Sequence, residues 1–200
     1  MNGTELVEYY NGVYASYPHK WENWWRDEEV CRTLAEYPMP KRLIDIGCGN
    51  GHTLELLKIY FPDTEFYGID LSNKAVALAQ RKNPDATFYC GNFETLELPH
   101  RFDRIVSLGV MEHMYDTHEA LSLVKDYLED GGLFYLEVPM NAKLGEEGWF
   151  GAYTGDQIEW HRKPETWEQF IQLAGFDIVE NKVDEMGSAM CIWVLRAKSN

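Results

Sequence analysis

No stretch of this chain is apolar over the length needed to span a bilayer, and no basic segment followed by an apolar block opens it. Neither a membrane anchor nor export is therefore expected, and the sequence reads as cytoplasmic. Positive charge is scarce. Lysine and arginine total 18 against 33 aspartates and glutamates, a formal net charge of −15, with no long basic run. A nucleic-acid partner would have to bind against that field, so none is expected. Cysteine is sparse too: Cys31, Cys48, Cys90 and Cys191 lie far apart without a CxxC pair, which fits reduced thiols better than a disulfide framework or a zinc site. EHMYDTH holds His113 and His118 near Glu112 and Asp116, but HExxH spacing is missing and no metal is expected. Internal repeats and low-complexity tracts are absent as well.

What remains is a chain of 200 residues, 45% apolar and 14% aromatic, enough for one domain over residues 1–200 with a substantial core. Short apolar strands alternate with helix-length segments: RLIDIG (42–47), EFYGID (65–70), ATFYCG (86–91), FDRIVSLG (102–109) and GGLFYLEVP (131–139). That rhythm predicts a doubly wound α/β fold, a mostly parallel sheet with helices on both faces. A helical stripe of Ala120, Leu121, Val124, Tyr127 and Leu128 is predicted to stop at Gly131-Gly132, and PETWEQFIQLAGF forms a later helix. FDIVENKVD and SAMCIWVLRAK read as a closing hairpin. Residues 1–40 read as a helical, aromatic cap set off by Pro38 and Pro40 from a core over 41–200. From 140 to 163 a long loop carries four glycines with Trp149, Phe150, Tyr153 and Trp160, and is expected over the active site.

The junction LIDIGCGNGHTLELL places Gly47, Gly49 and Gly51 between the first strand and a helix. A glycine turn there lets a ligand approach the backbone, and the helix offers free N–H groups and a positive dipole end. Dinucleotides and S-adenosylmethionine both use such a turn, but the dinucleotide fingerprint asks for glycine where His52 stands.

Asp45-Ile46-Gly47-Cys48-Gly49-Asn50-Gly51 resembles the DxGxGxG motif of the class I S-adenosylmethionine-dependent methyltransferases, and the likeness runs from Arg42 to about Lys198. The resemblance implies a seven-stranded sheet ordered 3-2-1-4-5-7-6 with the last strand antiparallel, and S-adenosylmethionine as cofactor. Asp45, Gly47, Cys48, Gly49 and Gly51 would cradle it. Asp70, ending the second strand, would accept hydrogen bonds from the ribose hydroxyls. Leu71 would pack on the adenine, with Asn92 and Phe93 at its edge. Asn92 stands where this family often has Asp. Ser107 and Leu108 would border the methionine moiety. The cap would supply Tyr14 against the cofactor and Arg26 for the methionine carboxylate, with Tyr10, Trp24 and Trp25 as further aromatic candidates.

After the fourth strand, SLGVMEHMYD lacks the [DN]PP[YF] run of many DNA, RNA and glutamine methyltransferases. It instead places Glu112 and His113 where small-molecule enzymes of the class carry an EH pair. An imidazole there can take a proton from an acceptor hydroxyl near neutral pH; a role at a helix start is the plain alternative. His161 in EWHRKP is a second candidate from the long loop, or a surface residue. The expectation is methyl transfer to oxygen or nitrogen of a small acceptor, and the aromatic residues of the loop would suit an aromatic or apolar one. Two rivals stay open: a nicotinamide-dinucleotide oxidoreductase, and a non-catalytic S-adenosylmethionine-binding module or partner subunit.

Overall fold

A computed structural model describes residues 3–139, 148–151, 158–184 and 190–198. In chain order the elements are α1 (Gly3–Ser16), α2 (Trp24–Ala35), β1 (Arg42–Ile46), α3 (His52–Tyr60), β2 (Glu65–Asp70), α4 (Asn73–Lys82), β3 (Thr87–Cys90) and β4 (Phe102–Leu108). There follow a single 3-10 turn (Met111–His113), α5 (Thr117–Tyr127), β5 (Leu128–Pro139), β6 (Gly148–Gly151), β7 (Ile158–His161), α6 (Pro164–Leu173), β8 (Phe176–Asp184) and β9 (Met190–Ala197). Seven strands form one sheet in the order β3-β2-β1-β4-β5-β9-β8, while β6 and β7 pair only with each other. With that hairpin set aside, β8 and β9 are the sixth and seventh strands of the sheet, and the order is the expected one. β2 runs parallel to β1 and β3; β9 runs antiparallel to both β5 and β8.

The residues divide into two compact units, Met1–Arg104 and Ile105–Asn200. In the first, Leu43, Ile44, Asp45 and Ile46 of β1 are all buried, the unbroken burial of a parallel strand covered on both faces. Leu54, Leu56 and Leu57 of α3 and Val30, Cys31 and Leu34 of α2 are buried as well, and these two helices pack on each other. Helix starts follow local chemistry: the Ser72 hydroxyl accepts from the Ala75 N–H of α4 at 3.2 Å, and Asn23 accepts from the Arg26 N–H of α2 at 3.3 Å. The second unit is built on Phe134, Tyr135 and Leu136 of β5, with Trp167, Phe176 and Trp193 fully buried; the two indoles lie 6.4 Å apart. Asp116 caps α5 by accepting from the Glu119 N–H at 2.9 Å.

One boundary differs from the sequence expectation. α5 stops at Tyr127, before Gly131-Gly132, and those glycines belong to β5. Gly131 has φ 76°, so its glycine serves a left-handed backbone inside an extended segment rather than a helix end. The 140–163 segment contains the β6–β7 hairpin; Tyr153 and the side chains of Trp149, Phe150, Trp160 and His161 lie outside the described residues.

The lead into β1 is fastened by a carboxylate. Asp103 accepts from the backbone N–H groups of Lys41 (3.0 Å) and Arg42 (2.8 Å). Arg104 beside it donates to the carbonyls of Pro38 (2.8 Å) and Asp103 (2.9 Å). Asp103→Ala is expected to lower the unfolding free energy by about 1–3 kcal/mol in a denaturant titration, because two strand-edge donors lose a charged acceptor. Asp103→Asn, which keeps one acceptor oxygen, should lose less.

Candidate active site

The glycine loop takes its shape from three left-handed residues, Gly47 (φ 75°), Gly49 (φ 53°) and Gly51 (φ 76°). The N–H groups of Gly47 and Cys48 both donate to the Ile69 carbonyl, at 2.8 and 3.0 Å, which ties the loop to the end of β2. Gly49 is needed for space as well as for φ: a Cβ there would stand 2.5 Å from the Tyr14 hydroxyl. The close approach at Gly49 is thus made by Tyr14, whose hydroxyl lies where a side chain would begin.

Asp70 fastens this loop as well. Its carboxylate accepts from the Gly49 N–H at 3.0 Å through Oδ2 and from the Ser72 N–H at 2.8 Å through Oδ1. Each oxygen keeps a second lone pair, so the group retains capacity for two further donors. Burial pushes its pKa up to about 6, against the lowering effect of those two N–H groups. Asp45, two residues before the loop, is buried, and burial followed by the charge of Asp27 raises its carboxyl well above the usual range, with Arg26 opposing. Tyr14 is buried beside the loop, its ring 5.2 Å from that of Trp21. Burial, then Asp70, holds its phenol protonated far above the ordinary range.

Several candidates are thus brought together in the first unit: Asp45, the three glycines, Cys48, Asp70, Tyr14 and Arg26. Arg26 donates from Nε to Asp27 (3.1 Å) and from Nη2 to the Trp21 carbonyl (3.3 Å). Leu71 follows Asp70 and is half-buried. Phe93 is buried, and the Asn92 side-chain oxygen accepts from the Glu94 N–H at 3.0 Å, so one of its lone pairs is spent locally. Trp24 and Trp25 are more than half exposed, Trp25 at 84%. His52 is the first residue of α3; its ring nitrogens lie 3.7 Å from Asp27 and from Glu55.

Sequence reasoning missed a clasp on the loop. The Glu22 carboxylate accepts from His19 Nδ1 (2.8 Å), Asn50 Nδ2 (2.7 Å) and Lys82 Nζ (2.6 Å). Burial raises its pKa, but the hydrogen bonds from Lys82, His19 and Asn50 outweigh it and hold the group at about 2. Asn50 also donates to the Pro18 carbonyl at 2.6 Å, and the Ser72 hydroxyl meets the Asn11 side chain at 2.7 Å. The cap is therefore fastened to the loop and to the start of α4.

In the second unit, the Gly109 N–H donates to the Glu137 carbonyl at 2.9 Å, and Gly109 (φ 68°) turns the chain into Met111–His113. Glu112 is buried and His113 half-buried, with His113 Nε2 4.0 Å from Glu112 Oε1. Ser107 is buried and Leu108 half-buried at the end of β4. β7, whose last residue is His161, packs against the turn that carries Glu112 and His113. No group of three His, Cys, Asp or Glu among the described residues is placed to hold a metal ion.

Known proteins are similar to this chain in sequence and in fold. The dTDP-3-amino-3,4,6-trideoxy-alpha-D-glucopyranose N,N-dimethyltransferase of Streptomyces venezuelae is 29% identical over 119 residues, covering 58% of this chain and 49% of that protein. The chain spans about half or less of the length of the curated relatives it matches. Magnesium protoporphyrin IX methyltransferase from Synechocystis PCC 6803, solved with bound SAH, superposes with TM-score 0.76 at 18% identity, over 98% of this chain and 100% of that one. The 1,6-didemethyltoxoflavin-N1-methyltransferase of Burkholderia thailandensis, solved with bound 1,6-didemethyltoxoflavin and S-adenosylhomocysteine, gives 0.75 at 18% identity, over 100% and 92%. At such identities the structural likeness speaks for the fold. Residues 20–181 match the methyltransferase domain family, and with most of its length so matched the chain belongs to that family.

Proposed function

We propose that this chain binds S-adenosylmethionine and transfers its methyl group to an oxygen or nitrogen of a small molecule. In this reading residues 1–200 act as one methyltransferase domain, with 1–40 as a cap over the cofactor and 140–163 over the acceptor. The observation that carries it is the half-buried Asp70 carboxylate, fixed by the Gly49 and Ser72 N–H groups and with lone pairs left for a diol. The cofactor brings a methyl group already activated on a sulfonium. The protein's work is then alignment, an effect worth roughly 7–11 kcal/mol when reacting atoms are held in line. Asp70 receives the ribose hydroxyls, the glycines let the nucleoside lie against the backbone, and Arg26 pairs with the methionine carboxylate. Tyr14 closes the cradle over Gly49. Leu71, Asn92 and Phe93 take the adenine side, and Ser107 and Leu108 the methionine side.

For the acceptor we assign Glu112 and His113, with His161 as a second candidate. His113 would receive the proton that a hydroxyl or ammonium acceptor must lose, and the buried Glu112 would hold its ring. The proteins named above are methyltransferases of a dTDP-amino sugar, of magnesium protoporphyrin IX and of 1,6-didemethyltoxoflavin, which supports a small acceptor without naming one.

Calorimetric titration with S-adenosylhomocysteine should show one site, and Asp70→Ala should weaken it by about tenfold or more through loss of a charged acceptor. Unaltered affinity would remove the reading. The pH dependence has a definite sign: the ribose hydroxyls need ionised Asp70, whose pKa is about 6, so affinity should fall as pH drops from 7 to 5. In Asp70→Asn that step should disappear. In an assay of S-adenosylhomocysteine release over a panel of hydroxyl, carboxyl and amine acceptors, His113→Asn should lower turnover of a hydroxyl acceptor roughly 10²–10⁴-fold while cofactor affinity stays unchanged.

A further inference from the structure

α1 lies over both residues whose backbone holds Asp70. Its Asn11 side chain accepts from the Ser72 hydroxyl at 2.7 Å, and its Tyr14 hydroxyl stands where a side chain on Gly49 would begin. Gly49 and Ser72 are the residues whose N–H groups the Asp70 carboxylate accepts. A ligand moving on to or off Asp70 therefore passes this helix.

α1 is weakly rooted for an element in that position. Among its described residues only Tyr14 is buried, whereas α2 buries Val30, Cys31 and Leu34 completely. With so little apolar surface withdrawn from water, α1 relies on polar contacts to stay in place, which is the profile of a segment that detaches while the rest stays folded. Residues 17–23, the turns that join α1 to α2, carry a charged contact of this kind. Glu22 Oε1 accepts from Lys82 Nζ of α4 at 2.6 Å and from Asn50 Nδ2 of the glycine loop at 2.7 Å, and the same amide donates to the Pro18 carbonyl at 2.6 Å. Both donors are also tied to α3: Asn50 Oδ1 accepts from the His52 N–H at 3.2 Å, and Glu55 Oε2 lies 3.8 Å from Lys82 Nζ. When Glu22 leaves, the ammonium has a second carboxylate to turn to, so an open arrangement can lie close in energy to the closed one.

We propose that Glu22, Lys82 and Asn50 form an electrostatic latch that holds α1 shut over the glycine loop and Asp70 and sets the rate at which cofactor and product exchange. This role rests on the proposed cofactor: the ligand enters and leaves while α1 is open and is kept while it is closed. The Glu22 and Lys82 side chains are 24% and 21% exposed, near enough to water for salt to screen the pair. A latch that is shut both with and without ligand has its own kinetic signature. Loosening it speeds association and dissociation by the same factor and leaves Kd in place. A clasp that only shapes the site would raise dissociation alone and weaken binding.

Stopped-flow rates for S-adenosylhomocysteine, with hydrogen exchange of the α1 amides in the free protein, distinguish the two on wild type, Glu22→Gln, Lys82→Met and Lys82→Arg. Both rates should rise about three- to tenfold in Glu22→Gln and Lys82→Met, with Kd held within about twofold, while Lys82→Arg stays near wild type. Exchange of the α1 amides should quicken in the same two variants. Added salt should speed both rates in wild type and hardly alter Lys82→Met, because the zwitterionic ligand has no net charge for salt to screen. Faster dissociation with unchanged association overturns the latch; so do rates unchanged in both directions. Should the variants fail to fold, the salt series on wild type still decides, since rates indifferent to salt leave no charged latch. Wild-type protein that binds no S-adenosylhomocysteine overturns the cofactor reading and this inference with it, whereas binding with unaltered rates in every variant removes the latch alone.

Discussion

The structure turns on one carboxylate shared between two backbone donors. Asp70 closes β2 and receives the N–H groups of Gly49 and Ser72 at once, so a single side chain fixes the glycine loop after β1 and the start of α4. The loop needs this outside hold because three of its residues are glycines at positive φ and would otherwise be loose. Burial that raises the acid's pKa to about 6 is the cost of that position, and it leaves a group whose ionisation tracks the conditions in which a polar ligand binds.

Around this centre the N-terminal segment is tied to the loop and to α4 by side-chain hydrogen bonds. Glu22 gathers an imidazole, an amide and an ammonium from residues before, within and after the loop, while Asn11 meets the start of α4. Tyr14 rests where Gly49 has no side chain. Each contact trades chain entropy for a defined loop shape in a segment rich in glycine.

The parts legible in the sequence are those where backbone geometry dictates residue type. Gly47, Gly49 and Gly51 announce a left-handed loop, an acid ending the second strand announces its partner, and buried parallel strands read as unbroken apolar runs. Long-range polar contacts carry no such period. Glu22 meets Asn50 and Lys82 across separations of 28 and 60 residues, and nothing local marks the pairing. Aromatic content carries no such signal either: Trp24 and Trp25 stand side by side on α2, 53% and 84% exposed, and the sequence does not say which aromatic of the segment packs. Gly131 looked like a helix stop because glycine signals left-handed backbone without saying which element holds it.

The β6–β7 hairpin pairs within itself and contributes nothing to the registers of the seven-stranded sheet. A change in the length of those two strands therefore leaves every register of the larger sheet untouched. Divergence between members of such a lineage can accumulate there by insertion and deletion while the sheet is inherited intact.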